Sequence, residues 1–309
     1  MRKQLIIIAV LFMIVVSITT GALFAQKHSI LDNSNPVDYP VDYTVKRPIS
    51  NSMKSALAYK TVGLPVPKDQ WEAYEKMINA ARDRYETLNR TFGTYICVVT
   101  MRETVEGELQ DARRAQMMFR AEPFSVYLKY IAPDDVVGRE MVYVEGQNNG
   151  RMIVTKGGFR PALAHITRAI ELDSQLAKKE SNHSLKEMGI ASMMDQLLDV
   201  AYSAERFPDC KIVFIENAAI DNRPCTVIQI THEKKSDVFP FYKAQVFIDN
   251  QYQIPVRFVS YNWPDRTGEV TIQEEFTYTN IVPNVPLSDS DFDFRNPRYG
   301  FKKDLKIPE

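Results

Sequence analysis

The sequence predicts an α+β fold: one large curved antiparallel sheet with helices packed on its concave face. Three observations predict it. About ten short segments alternate apolar and polar residues, the period of a half-buried strand. Turn-forming clusters such as Glu106-Gly107, Pro133-Asp134-Asp135 and Gln147-Asn148-Asn149-Gly150 separate these segments. Two stretches, after Pro67 and after Ser184, instead carry apolar residues three and four apart. Alternation on successive strands gives an antiparallel sheet with one apolar face, and the helices are what is available to cover it.

The elements follow in chain order. Arg2 and Lys3 form a short positive region, Leu5 to Val16 is almost wholly apolar, and Ala22-Leu23-Phe24-Ala25 puts small residues at −3 and −1 of a cut after Ala25. That is the layout of a secretory signal peptide. The alternative is an uncleaved N-terminal anchor, since the apolar stretch approaches the ~20 residues that a span requires. Residues 26–66 show little periodicity, contain Pro36, Pro40 and Pro48, and repeat Val-Asp-Tyr at Val37 and Val41. They read as a flexible tether. The predicted division is 1–25 signal peptide, 26–66 flexible tether and 67–309 a single domain.

Pro67 suits the first turn of a helix, where its missing N–H is not needed. Trp71, Tyr74, Met77, Ile78, Ala81, Tyr85 and Leu88 then form one apolar stripe. Thr91 to Arg120 reads as a hairpin about Glu106-Gly107, with Tyr95, Cys97, Val99 and Met101 on one face and Ala115, Met117 and Phe119 alternating in the return strand. In Glu122–Met152, Phe124, Val126, Leu128 and Tyr130 alternate with Ser125, Tyr127 and Lys129. Gly138-Arg139-Glu140 and Glu145-Gly146 read as turns that set register; Arg139 and Glu140 could instead form a polar recognition spot at the sheet rim. Phe159 to Leu172 is ambiguous between strand and helix. Ser184 and Glu187 have the spacing of a capping box, and Ile190, Met193, Met194, Leu197, Leu198, Ala201 and Tyr202 run at helical spacing to about Arg206. Asp195 and Asp199 lie on its polar side. After Pro208 alternating strands return. Register about a turn at Asp221-Asn222-Arg223 puts Cys210 opposite about position 234, so a Cys210–Cys225 disulfide would require a bulge or another turn.

Charge excludes some partners. The chain has 309 residues, with 38 Lys and Arg against 39 Asp and Glu. Removing residues 1–25 takes two basic residues and leaves a near-neutral chain, so nothing points to nucleic acid or an anionic membrane face. The four histidines, His28, His165, His183 and His232, are far apart. None has a metal-ligand spacing such as H-E-x-x-H. There is no G-x-S-x-G elbow and no Gly-rich loop between strand and helix, and Cys97, Cys210 and Cys225 sit in or beside strands. The expectation is a non-enzyme with no catalytic residue, no metal ligand and no cofactor. What remains is a wide apolar sheet face. Met117, Phe119, Phe124, Leu128, Phe258 and Phe276 lie on the apolar side of their strands and are the candidate ligand-binding lining. Met and Phe suit a pliable apolar pocket; the other reading is ordinary core.

Four motifs, in order, carry a resemblance: "EPFSVYLKYIAPDDVVGREMVYVEGQNNGRM", "NHSLKEMGIASMMDQLL", "IPVRFVSYNWP" and "EEFTYTNIVPNVPLSDSDFDFRNPRYGF". They resemble the exported family catalogued as domain of unknown function 1571, from about Trp71 to Phe301. The fold this implies is similar to that of the lipoprotein carriers LolA and LolB, an unclosed antiparallel barrel with helices as a lid that holds acyl chains. "VFIDNQYQIPVRFVSYN" resembles a strand–turn–strand of that superfamily, with Asp249-Asn250 starting the turn and Pro255 re-entering the sheet. The carriers' lid-locking arginine has no matched position here, and neither the tether nor the Asn296–Phe301 ending is a carrier feature. The resemblance implies an exported periplasmic or cell-envelope protein that binds an acyl chain or lipoprotein, with membrane contact only transient or through an uncleaved N-terminus. The alternative is a structural or protein-interaction module of the envelope with a filled core.

Overall fold

The computed structural model describes residues 83–85, 87–88, 92–157, 166–204, 210–235 and 241–308. The signal segment and the tether lie outside the described residues, as does most of the first predicted helix. Its end is helical at 83–85 and 87–88. Leu88 is buried in the core with Tyr85 packed against it, and Arg84 donates through Nη2 to the Tyr252 carbonyl at 2.7 Å.

Among the described residues, twelve strands form one antiparallel sheet. They are β1 (Thr94–Val105), β2 (Glu108–Leu109), β3 (Arg113–Arg120), β4 (Ser125–Ala132), β5 (Glu140–Val144), β6 (Arg151–Thr155), β7 (Thr167–Glu171), β8 (Cys210–Ile220), β9 (Arg223–His232), β10 (Lys243–Asp249), β11 (Pro255–Tyr261) and β12 (Ile272–Pro283). The order is β7-β6-β5-β4-β3-β1-β12-β11-β10-β9-β8, with β2 pairing β1. The sheet is therefore two meanders joined at its centre by β1 and β12, and it is not closed. Of the stretch Phe159–Leu172, ambiguous in sequence, residues 159–165 lie outside the described residues and the remainder supplies β7.

The turn chemistry explains the hairpins. Glu106 and Gly107 both adopt positive φ, as do Asp221 and Asn222; such two-residue turns match the twist of the strands they join. An extra residue on β8 between Ile215 and Ala218 shifts the β8–β9 register, and Cys210 lies opposite His232 rather than near 234. Cys225 is a buried free thiol. Asp249 closes β10 by accepting the Gln251 and Tyr252 N–H groups at 2.9 and 2.7 Å, and Pro255 opens β11.

Because β7 and β8 are opposite edges, the chain between them must cross a face of the sheet. It does so with α1 (Gln175–Lys178) and α2 (Ile190–Ala204). Met193, Met194 and Leu198 of α2 share a core with Tyr95, Val99, Met117, Leu128 and Phe258 of the strands. Among the described residues no helix is long and apolar enough to cross a membrane.

Two expectations are corrected. The Ser184–Glu187 capping box does not form: Ser184 precedes a short 3₁₀ turn without a side-chain cap, and the Glu187 carboxylate lies 3.1 Å from His183 Nδ1. Helix α2 starts six residues later, where the Tyr278 and Tyr95 hydroxyls accept the Gly189 and Ile190 N–H groups at 3.2 and 3.0 Å. Second, the sheet has apolar surface on both faces. Tyr127, Val142, Val144 and Ile153 form a separate core with Phe292, Phe294 and Phe301 of the C-terminal segment. That segment is fastened by Arg120 to Asp289 at 2.7 Å and by the Gly300 N–H to Glu140 Oε2 at 2.8 Å.

Candidate functional site

A cavity of about 370 Å³ lies on the helix-bearing face, between β4–β7 and the crossing segment. Alternation builds its floor. Leu128, Met141, Met152, Val154 and Ile170 point inward from four successive strands, and Phe276 comes from β12. Leu172, Leu176, Leu185 and Met188 of the crossing chain close it from the other side. Its lining also includes five basic residues, Arg102, Arg113, Arg139, Lys156 and Arg168, against the acids Glu103, Asp111 and Glu180.

The rim is organised by ion pairs. Arg139 Nη1 contacts Glu180 Oε2 at 2.7 Å, and Arg113 Nη1 contacts the same oxygen at 3.4 Å. Burial alone would raise the Glu180 carboxyl, but the Arg139 charge, its hydrogen bond and Arg113 together hold it below the ordinary carboxylate value. The two guanidiniums thus tie the end of α1 to β3 and to the start of β5. Arg139 is accordingly part of the wall of the cavity. Glu140 is buried beneath the C-terminal segment on the opposite face and anchors it.

Four side chains from three parts of the sequence meet beside the cavity, two of them, Glu103 and His183, on its lining. His183 Nε2 lies 3.3 Å from Glu274 Oε2 and 3.6 Å from Glu103 Oε1, while Nδ1 lies 3.1 Å from Glu187 Oε2. Glu103 and Glu274 sit directly opposite each other in the β1–β12 ladder. The loop that carries His183 is held over them: Ser181 Oγ and the Asn182 N–H donate to Glu103 at 2.8 and 3.0 Å. The Phe276 ring meets the imidazole edge-on, with centroids 5.4 Å apart. Glu103, His183 and Glu274 are placed to hold a cation. His183 has no informative spacing in sequence. The available signal was parity, since Glu103 follows the inward series Tyr95, Cys97, Val99, Met101, and Glu274 precedes inward Phe276 and Tyr278.

Of the six candidate lining residues, Leu128 and Phe276 line the cavity. Met117, Phe119 and Phe258 are buried in the surrounding core and Phe124 packs against it. Phe119 stacks on Tyr95 at 4.8 Å and meets Phe124 edge-on at 5.5 Å. Gly189 lets the chain pass over this ring. A Cβ there would lie 2.6 Å from Phe119 Cε2, and its φ of +115° is open to glycine.

An unclosed antiparallel sheet with a partly apolar, cation-rimmed cavity under a crossing helical segment is the class of molecule so defined. The chain belongs to the family described as Protein of unknown function (DUF1571), whose model matches residues 92–301. No curated protein matches it. Among solved structures it is similar to the lipoprotein LppX of Mycobacterium tuberculosis, at 15% identity over 69% of this chain and 100% of that one, with a TM-score of 0.38. It is also similar to a putative outer membrane lipoprotein-sorting protein domain from Vibrio parahaemolyticus, at 13% identity over 71% and 97% of the two chains and a TM-score of 0.32. A LolA superfamily protein from Nitrosomonas europaea matches at 12% identity over 70% and 97%, with a TM-score of 0.30.

Proposed function

We propose that the chain is an exported cell-envelope protein without enzymatic activity, which holds a hydrophobic ligand, an acyl chain or the lipid of a lipidated partner, on the concave, helix-bearing face of its sheet. The observation that carries this reading is the cavity: about 370 Å³, within the ~300–1,000 Å³ typical of ligand sites. Its floor is aliphatic and thioether, and Met141, Met152 and Met188 can adapt to a chain of variable shape. The excess of basic over acidic lining residues suits an anionic head at the mouth. Burial gains about 0.8 kcal/mol per CH₂, so a 16-carbon chain gains on the order of 10 kcal/mol before the cost of ordering it. Export with cleavage after Ala25 belongs to the same reading, and the mass of the mature N-terminus tests it.

The second reading, an interaction module with a filled core, is favoured by the close packing of Met117, Phe119 and Phe258. One experiment separates the two. Palmitate added to delipidated protein at 100 times its Kd should raise Tm by roughly 5–10 °C. Leu128→Trp, which fills the cavity floor, should abolish the rise while the protein stays folded by circular dichroism. An unchanged Tm for the wild-type chain favours the filled module.

A further inference from the structure

We propose that Glu103, His183 and Glu274 form a binding site for one divalent transition-metal ion, with Glu187 orienting the histidine. Glu103 and Glu274 face each other across two paired strands, and like charges so placed repel. Both carboxylates are buried, in surroundings where a charge is costly unless it is paired. With Glu187 there are three carboxylates around one imidazole. A divalent cation between Glu103 and Glu274 would relieve that repulsion, with His183 as a neutral imidazole ligand.

Geometry points the same way. The contacts of His183 Nε2, 3.3 and 3.6 Å, are longer than the ~2.9 Å of a good N–H···O hydrogen bond. Two ligand atoms each about 2.1 Å from one tetrahedral ion would stand about 3.4 Å apart. The three ligand atoms all lie within 4.8 Å of one another, so the carboxylates would close in slightly on an ion seated against Nε2. The other ring nitrogen is engaged by Glu187 at 3.1 Å. With Nδ1–H donating to the Glu187 carboxylate, the Nε2 lone pair is left aimed between Glu103 and Glu274, the carboxylate–histidine–metal arrangement of many metal sites. One imidazole with two carboxylates favours Zn²⁺ and its first-row neighbours over Mg²⁺ or Ca²⁺, which take oxygen ligands. Glu103 and His183 also line the cavity, so the ion has an entry path and a coordination position left for water or a bound anion. The site is independent of the hydrophobic-ligand reading, and Zn²⁺ should bind with or without fatty acid.

The test uses the full mature protein stripped with EDTA. Calorimetric titration with Zn²⁺ should give one ion per chain, and EDTA should reverse a Zn²⁺-dependent rise in Tm. Glu274→Gln and His183→Gln should each weaken binding at least about 100-fold, and Glu187→Gln, which keeps the ligands, about 10–100-fold. Should a variant fail to fold, X-ray absorption of the Zn²⁺-loaded wild-type chain reads the donors directly: one imidazole with oxygen ligands supports the site, and sulfur or several imidazoles overturn it. Failure of the folded wild-type chain to retain Zn²⁺, or undiminished wild-type affinity in Glu274→Gln and His183→Gln, also overturns it.

Discussion

Tyr95 and Tyr278 are fully interior phenols whose hydroxyls accept the N–H groups of Ile190 and Gly189. Burial raises both phenols, Tyr95 above all, and keeps them neutral. Tyr95→Phe leaves the Ile190 N–H buried without that acceptor and should cost about 1–3 kcal/mol in urea unfolding, with faster hydrogen exchange at Ile190. An unchanged midpoint would show that the hydroxyl does not hold the helix. His232 gives a pH signature. Burial pushes its imidazole down to about 4, whereas the unfolded chain titrates near 6.5. Between those values the unfolded chain takes up a proton that the fold refuses, so stability falls as pH drops through this window. His232→Gln should lose less stability than wild type between pH 7 and 4.5, measured as urea midpoints. The inward placing of Tyr95, Met117 and Leu128 was legible from alternation. The hydroxyl caps and the Glu103–His183–Glu274 group were not, because both join residues about 80 or more positions apart, and local spacing carries no record of such a meeting.

The C-terminal segment is the element that periodicity could not interpret. Residues 284–308 contain only one short 3₁₀ turn, Asp289–Asp291, yet Phe292, Phe294 and Phe301 are buried against the second face of the sheet. An irregular strap has no period, and so its buried side is not marked in sequence. The sheet did carry a signal: Met141-Val142-Tyr143-Val144 is a continuous apolar run, as expected of a strand covered on both faces. Phe294→Ala should destabilise by about 3–5 kcal/mol through the cavity it leaves, read from urea midpoints. Since this core lies on the face opposite the cavity, the proposed palmitate-dependent rise in Tm should persist in the variant. Loss of the palmitate response in folded Phe294→Ala would show that the two faces are coupled. The strands themselves were legible because their turns are written in Gly, Asn and Asp, as at Glu106-Gly107 and Asp221-Asn222. The start of α2 was misplaced because the Ser184–Glu187 spacing fits a cap that tertiary contacts override.

At the scale of the molecule, topology creates the site. Two meanders place β7 and β8 at opposite edges, and the single crossing between them must lie over one face. The crossing carries α1 and α2, but its first half, Leu172 to Met188, is mostly irregular and spans the sheet without filling it. The cavity forms there, under Leu176, Leu185 and Met188, rather than beneath α2, where Met193, Met194 and Leu198 close the core. Of the six residues that alternation put forward, Leu128 and Phe276 lie on the cavity. Alternation could not separate filled from open regions, because an inward Phe reads the same in both. Native mass spectrometry of the protein purified gently from its own cells, with lipid extraction alongside, tests the carrier account most directly. The account predicts a chain mass increased by one acyl-bearing molecule, an increase that Leu128→Trp removes. A bare chain mass and an empty lipid extract from the folded wild-type protein would contradict it.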